Sequence, residues 1–327
     1  MKTQIITEIE QYMVGILNNS QLEKLHEILI HTLWNKEIIE KSECSKEDKV
    51  DFISLFLSAK KVEGCSQRTI SYYQSTIENM VKSVNKPIKQ IDTETLREYL
   101  ASYEMKHKAC KTTLDNIRRV ISSFFSWLED ENYIIKSPAR RIHKIRTGKT
   151  VKSTYTDEEL EKIRDNCENI RDLSIIDLLA STGMRVGELV NINISDINLD
   201  RRECVVLGKG NKERTVYFDA RTKIHIYQYL QNRTDNNPAL FVTLNNPHNR
   251  LNIRGVEIRL RNLGENLNIE KVHPHKFRRT LATKAIDKGM PIEQVQVLLG
   301  HTKIDTTLQY AMVNQNNVKY SHQKYIG

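Results

Sequence analysis

The sequence predicts a mainly α-helical protein with a small β-hairpin, built as one all-helical domain followed by a larger mixed domain. Three observations carry that reading. Apolar residues recur at a 3.6-residue period over most of the 327-residue chain, with Ser, Asp or Thr caps at several helix starts. One stretch, ECVVLGKGNKERTVYF (203–218), instead sets two β-prone runs around a Gly-rich, charged turn. Between the two halves lies KSPARRIHKIRTGKTVKS (136–153), interrupted by Pro138 and Gly148.

Residues 1–40 read as one or two short amphipathic helices, on Ile5, Ile9, Met13 and Ile16, then Leu22, Leu25, Leu29 and Leu33. They hold three Lys and six Glu, a sum of −3, which suits packing or partner contact better than binding an anion. Residues 41–135 hold four helical segments. The first carries Val50, Phe52, Phe56 and Ala59; the second follows a cap at Ser66 and runs through Ile70, Tyr73, Ile77, Met80 and Val84. The third follows Asp92-Thr93 with Leu96, Tyr99 and Leu100, and the fourth runs from Thr112 through Leu114, Ile117, Ile121, Phe124 and Leu128.

A basic linker, 136–154, comes next: seven Lys or Arg and no acid between Lys136 and Lys152. Such a block repels itself and stays extended unless it lies on something anionic. Arg140, Arg141, Lys144, Arg146, Lys149 and Lys152 are therefore expected to strap across a phosphate backbone. The second domain, 155–327, opens with a capping box, Thr156 to Glu159, leading a helix through Leu160, Ile163 and Cys167. A helix from Leu173 to Ala180 breaks at STGMR, a short one follows with Val186, Leu189 and Val190, and after the hairpin helices resume to the C-terminus.

Composition narrows the partners. The chain is 39% apolar and 28% charged, as in an ordinary soluble globular protein. No run approaches the roughly 18 apolar residues of a membrane span. The start, MKTQIITEIEQYM, lacks a signal-peptide core, so a cytoplasmic location and no membrane partner are expected. Five widely spaced cysteines without a CxxC or Cys/His cluster argue against disulfides and against a zinc site. The net charge is +9; with −3 in the first forty residues, the remainder carries +12, which points to a polyanion.

Four islands hold the candidate chemistry: STGMRVGEL (181–189), GKGNKER (208–214), HPHKFRRT (273–280) and LLGHTKIDTTLQY (298–310). In the third, His275, Lys276, Arg278 and Arg279 crowd the first turn of a helix, whose N-terminus carries partial positive charge and favours acids. A phosphate there would explain them, held by backbone N–H groups, a bidentate guanidinium and an imidazole. Glu188, three residues after Arg185, shares its helix face; taken alone that is a surface ion pair. Lys209 lies between two glycines in the hairpin turn, His301 follows a helix stop at Gly300, and Tyr310 follows the polar cap Asp305-Thr306-Thr307.

Arg185, Lys209, His275, Arg278, His301 and Tyr310, in this order and spacing, resemble the catalytic set of the tyrosine recombinase (phage integrase) family. The likeness is strongest from about 156 to 312, and the C-terminal tail resembles simple integrases of mobile elements from low-GC Gram-positive bacteria. It implies that 41–135 is a SAM-like core-binding domain and 155–327 the catalytic domain. It also implies a site-specific recombinase that cleaves and rejoins double-stranded DNA through a 3′-phosphotyrosyl intermediate, as a homo-tetramer on paired sites assembled from monomers. No cofactor, metal or ATP enters that chemistry. By the resemblance Tyr310 is the nucleophile, Arg185 and Arg278 hold the phosphate, and His275 and His301 assist. Lys209 protonates the leaving oxygen, and Glu188 buttresses Arg185 and His275. Arg279 departs from the family, where many members carry His; it and Lys276 are expected to meet neighbouring phosphates or solvent. Without DNA the helix start should be electrostatically strained. The alternatives are a Xer-type chromosome dimer resolvase and a type IB topoisomerase.

Overall fold

The computed structural model describes residues 2–34, 36, 50–148, 152–208, 213–311 and 326. The chain divides into two compact units, Met1–Gly148 and Lys149–Gly327.

In the first unit, α1 (Lys2–Met13) and α2 (Asn19–Leu33) form an acidic pair joined by a short turn and packed on each other. Asn18 caps α2: its side chain accepts from the Gln21 N–H, and its own N–H donates to the Gln21 side chain. Four longer helices follow: α3 (Phe52–Val62), α4 (Gln67–Val84), α5 (Thr93–His107) and α6 (Lys111–Asp130). Asp51, Ser66 and Asp92 each accept from backbone N–H groups of the first turn, which would otherwise have no partner. Phe56, Ile77, Met80, Leu96, Phe124 and Leu128 are wholly removed from solvent and form the core. Val50, expected within the first helix, lies outside α3 and is exposed.

The basic linker differs from the free strap expected. Residues 138–141 form a 3-10 turn, Ala139 is buried, and Ile142 packs on the helical core. The Ser137 N–H donates to Glu129 Oε2 (3.0 Å) and the Ile145 N–H to Asp115 Oδ1 (3.0 Å). The apolar residues between the cations find a core, so the backbone follows them. Arg140, Arg141, Lys144, Arg146 and Lys152 stay exposed. Lys149 lies outside the described residues.

The second unit runs α7 (Asp157–Asp165), α8 (Ile170–Thr182), α9 (Val186–Asn191), β1 (Ile197–Asn198), β2 (Glu203–Leu207) and β3 (Glu213–Tyr217). It continues with α10 (Ala220–Gln231), α11 (Ile253–Asn266), α12 (Pro274–Asp287), α13 (Ile292–Leu299) and α14 (Ile304–Ala311). The capping box at Thr156 forms as expected. Ile175, Ile176, Leu178 and Leu179 are consecutive or nearly so and all buried, so α8 is covered on every side, chiefly by α10 and α12. The hairpin is the antiparallel pair β2–β3, with Cys204 opposite Val216 and Leu207 opposite Glu213; β1 adds a third strand that the sequence did not announce. Two residues are too few to show an alternating pattern. Cys204, Val206 and Val216 face the core while Val205 and Leu207 face solvent, the period of two expected of a half-buried sheet. Asp305-Thr306-Thr307, expected as a cap before Tyr310, lie inside α14 instead. Among the described residues no helix is long and apolar enough to cross a membrane.

Candidate active site

The buried helix α8 ends at Gly183, whose φ of +62° lets the chain turn out of the helix without a Cβ clash. An added Cβ there would lie 2.7 Å from Leu281 Cδ2 and 3.2 Å from Leu299 Cδ2. The turn delivers Arg185 to the N-cap of α9, where its N–H donates to Glu188 Oε2 (2.8 Å) and its Nη1 to Glu188 Oε1 (2.8 Å).

Glu188 is not the surface partner its spacing alone suggested. Its side chain is 4% exposed and accepts two further bonds from Arg214 on β3: Nη1 to Oε1 (2.7 Å) and Nη2 to Oε2 (2.8 Å). Burial pushes the Glu188 carboxyl up, but the Arg214 hydrogen bonds, the Arg185 N–H and the Arg214 charge outweigh it and hold it below its ordinary value. Among the described residues no hydrogen bond joins Glu188 to His275; Glu188 accepts from two arginines.

Arg278 projects from α12 and is 1% exposed. Its Nη1 donates to the Gly183 carbonyl (2.9 Å) and its Nη2 to the Leu299 carbonyl (2.5 Å). Burial and the neighbouring Arg185 charge push its pKa down. Arg185 Nη2 reaches the Gly300 carbonyl (3.2 Å) and Arg214 Nε the Leu298 carbonyl (3.2 Å). Three guanidinium groups thus occupy three successive carbonyls at the C-terminal end of α13, where a helix leaves its acceptors unfilled and carries partial negative charge. Of the cations at the α12 start, Arg278 meets these carbonyl acceptors inside the protein, while burial and the charges around it still push its own pKa and that of His275 down.

His301 follows Gly300, the left-handed C-cap of α13, and its Nδ1 pairs with the hydroxyl of the buried Thr307 (2.8 Å). Its ring stacks on that of Tyr310 with centroids 6.0 Å apart. Tyr310 is half-buried against Ala282, Val295 and Leu299. His275 and Arg185 line one cleft, shared with Met184, Arg261 and His273. Burial, followed by the charges of Arg278 and Arg185, pushes His301 down to about 4. Loss of hydration, then Arg278 and Arg279, drives His275 the same way, to about 4. His275 remains open to solvent at the cleft rim, where screening tempers that shift.

The other two cations of the α12 start behave differently from expectation. Lys276 is buried: its Nζ donates to the Glu270 carbonyl (3.1 Å) and lies 4.3 Å from the Tyr155 ring centroid. Arg279 is 8% exposed, and its buried Nε has no hydrogen-bond partner. Neither faces solvent, because α12 turns these side chains into the unit's core. Lys209 lies outside the described residues. The structure therefore gathers Arg185, Glu188, His275, Arg278, His301 and Tyr310 from four segments of the chain. It adds Arg214, which stood at the end of a quoted island without any local partner to mark it.

Comparison with known proteins gives the family. The model described as "Phage integrase family" matches residues 153–317, and "Phage integrase, N-terminal SAM-like domain" matches 52–135. The tyrosine recombinase XerC of Leptospira interrogans is 32% identical over 295 residues, covering 86% of this chain and 95% of the relative. The crystal structure of the XerH site-specific recombinase bound to palindromic difH substrate is 22% identical, with a TM-score of 0.67 over 97% of this chain and 93% of that one. The Tn1549 transposon integrase in complex with a circular intermediate DNA is 16% identical, with a TM-score of 0.67 over 84% and 98%. The two solved structures share the fold; the domain matches and the near-full-length XerC similarity show more, and this chain belongs to the phage integrase family of tyrosine recombinases.

Proposed function

We propose that this recombinase cleaves and rejoins double-stranded DNA at specific sites, with Tyr310 as nucleophile. The observation that supports this best is the gathering of Arg185, Arg278, His275 and His301 around one helix end beside Tyr310. In the first step the Tyr310 oxygen attacks the scissile phosphorus, the bond to the 5′ oxygen breaks, and a 3′-phosphotyrosyl ester forms. The tyrosine proton passes to a neutral base, the role the resemblance gives to His275, whose imidazole is held below its ordinary value by lost hydration and the Arg278 charge and so is uncharged at neutral pH. By family resemblance Lys209 returns a proton to the 5′ oxygen. Charge building on the non-bridging oxygens meets Arg185 and Arg278, and His301 donates alongside them. A 5′ hydroxyl from the partner duplex then reverses the sequence, so bond energy is conserved. The protein acts in the cytoplasm, assembling from monomers into a tetramer on paired sites, with the linker cations on neighbouring phosphates.

Tyr310→Phe should bind site DNA like the wild type yet form no covalent complex on a nicked suicide duplex, read by denaturing gel. An adduct trapped by the Phe variant would overturn the assignment.

Two biological settings fit. The tail resembles mobile-element integrases, whereas similarity to XerC along 95% of its length favours a chromosome dimer resolvase. Sequencing the DNA joined to Tyr310 in cells separates them: ends of a mobile element in one case, a single chromosomal site in the other.

A further inference from the structure

We infer that Arg214 is a positioning residue that holds Arg185 ready for the scissile phosphate by acting through Glu188. The inference rests on the recombinase reading above and concerns a residue outside the six-membered catalytic set.

The geometry is specific. Arg214 presents both Nη atoms to the two carboxylate oxygens of Glu188 (2.7 and 2.8 Å), a bidentate fork that lysine cannot form. Its Nε is fixed separately on the Leu298 carbonyl at 3.2 Å. The side chain is 12% exposed and Glu188 4%, so the pair works where solvent screens little. Arg185 keeps 38% of its side chain exposed and lines the cleft with His275. Of the three arginines on the α13 carbonyls it is the one most open to a ligand.

Charge balance explains why a second arginine is needed. A lone Arg185–Glu188 pair would be neutral, and the carboxylate would compete with a phosphate for the guanidinium. Arg214 supplies the compensating cation, so Arg214, Glu188 and Arg185 together carry one net positive charge toward the cleft. The carboxylate can then hold the Arg185 backbone N–H and Nη1 without cancelling its field. Gly300 independently marks the seat of Arg214. A Cβ at Gly300 would lie 3.0 Å from Arg214 Cδ and 3.2 Å from both Nε and Nη1, so glycine leaves the room this side chain occupies.

The test compares single-turnover formation of the Tyr310–DNA adduct on three suicide duplexes. One has an ordinary scissile phosphodiester, one a methylphosphonate lacking the negative non-bridging oxygen, and one a 5′-bridging sulfur whose departure needs no proton. Arg214→Ala should slow cleavage of the phosphodiester roughly 100-fold, the scale of losing one donor to a developing charge. On the neutral methylphosphonate the deficit should shrink to a few-fold, in parallel with Arg185→Ala. Arg214→Lys, which keeps the cation but loses the fork, should show the same pattern at smaller size, and carries the comparison if the Ala variant does not fold. An equal deficit on phosphodiester and methylphosphonate would reduce Arg214 to a structural residue and overturn the inference. Rescue by the bridging sulfur alone would overturn it too, assigning Arg214 to the hairpin that carries Lys209. Failure of the wild-type chain to form any adduct would instead refute the recombinase reading.

Discussion

The cations at the start of α12 are individually different once placed. Arg278 directs two N–H groups to the Gly183 and Leu299 carbonyls, Lys276 is enclosed by Glu270 and Tyr155, and Arg279 keeps one unpaired buried nitrogen. Sequence set Arg278 on the phosphate and Lys276 and Arg279 on neighbouring phosphates or solvent, and missed that the last two are buried, because burial depends on which face α12 turns inward. His301 leads to a pH prediction at this scale. Its folded pKa lies near 4 against an ordinary 6.5, so between those values the unfolded chain binds a proton that the fold excludes. Stability is therefore full above about pH 6.5, falls as pH drops toward 4, and levels off for this group below that. His301→Asn should flatten the melting temperature over this window in DNA-free protein, measured by calorimetry. An unchanged profile would mean that His301 titrates normally. His275, being exposed, should contribute less.

Helix ends, rather than helix faces, organise the site. The negative end of α13 receives Arg214, Arg278 and Arg185 in succession, each on its own carbonyl. Two left-handed glycines make the approach possible, Gly183 closing α8 and Gly300 closing α13. Gly183→Ala meets both a φ of +62° and Leu281 at 2.7 Å, so it should cost at least about 1 kcal/mol and depress cleavage beyond its effect on folding. Denaturant unfolding alongside a cleavage assay at a temperature where the variant is folded checks this. Wild-type stability with normal cleavage would show that the turn has room to adjust. The caps at Ser66, Asp92 and Thr156 were legible in sequence because each satisfies its donors within three residues. The strand β1 and the inclusion of Asp305-Thr306-Thr307 in α14 were not, since short segments take their conformation from neighbours.

Charge sets the behaviour of the molecule as a whole. The acidic first forty residues and a remainder of +12 fit a chain that places its cations where DNA can reach them. In the linker, Arg140, Arg141, Lys144 and Arg146 remain exposed although the backbone around Ala139 and Ile145 is tied to the helical unit. Anchoring of this kind presents cations in a fixed register instead of on a loose tether. Changing these four to Gln should weaken DNA binding and reduce the log–log salt slope by about 0.9 for each phosphate no longer neutralised. A titration series at several salt concentrations measures it, and an unaltered slope would leave the four cations solvated and uninvolved.

The helical class, the hairpin, most caps and the family could be read along the chain, because periodicity, capping and motif spacing are local properties. The same reading named Arg185, Arg278, His301 and Tyr310, which lie around the α13 end, but not Arg214. Apart from the local Arg185–Glu188 pair, their partners came from packing. Arg214 and Glu188 are 26 residues apart, Arg278 and Gly183 95, and Arg185 and Gly300 115. Bonds across such separations leave no periodic trace; they arise when α8, α12 and α13 pack, bringing unfilled carbonyls to guanidinium groups that must lose water and find acceptors.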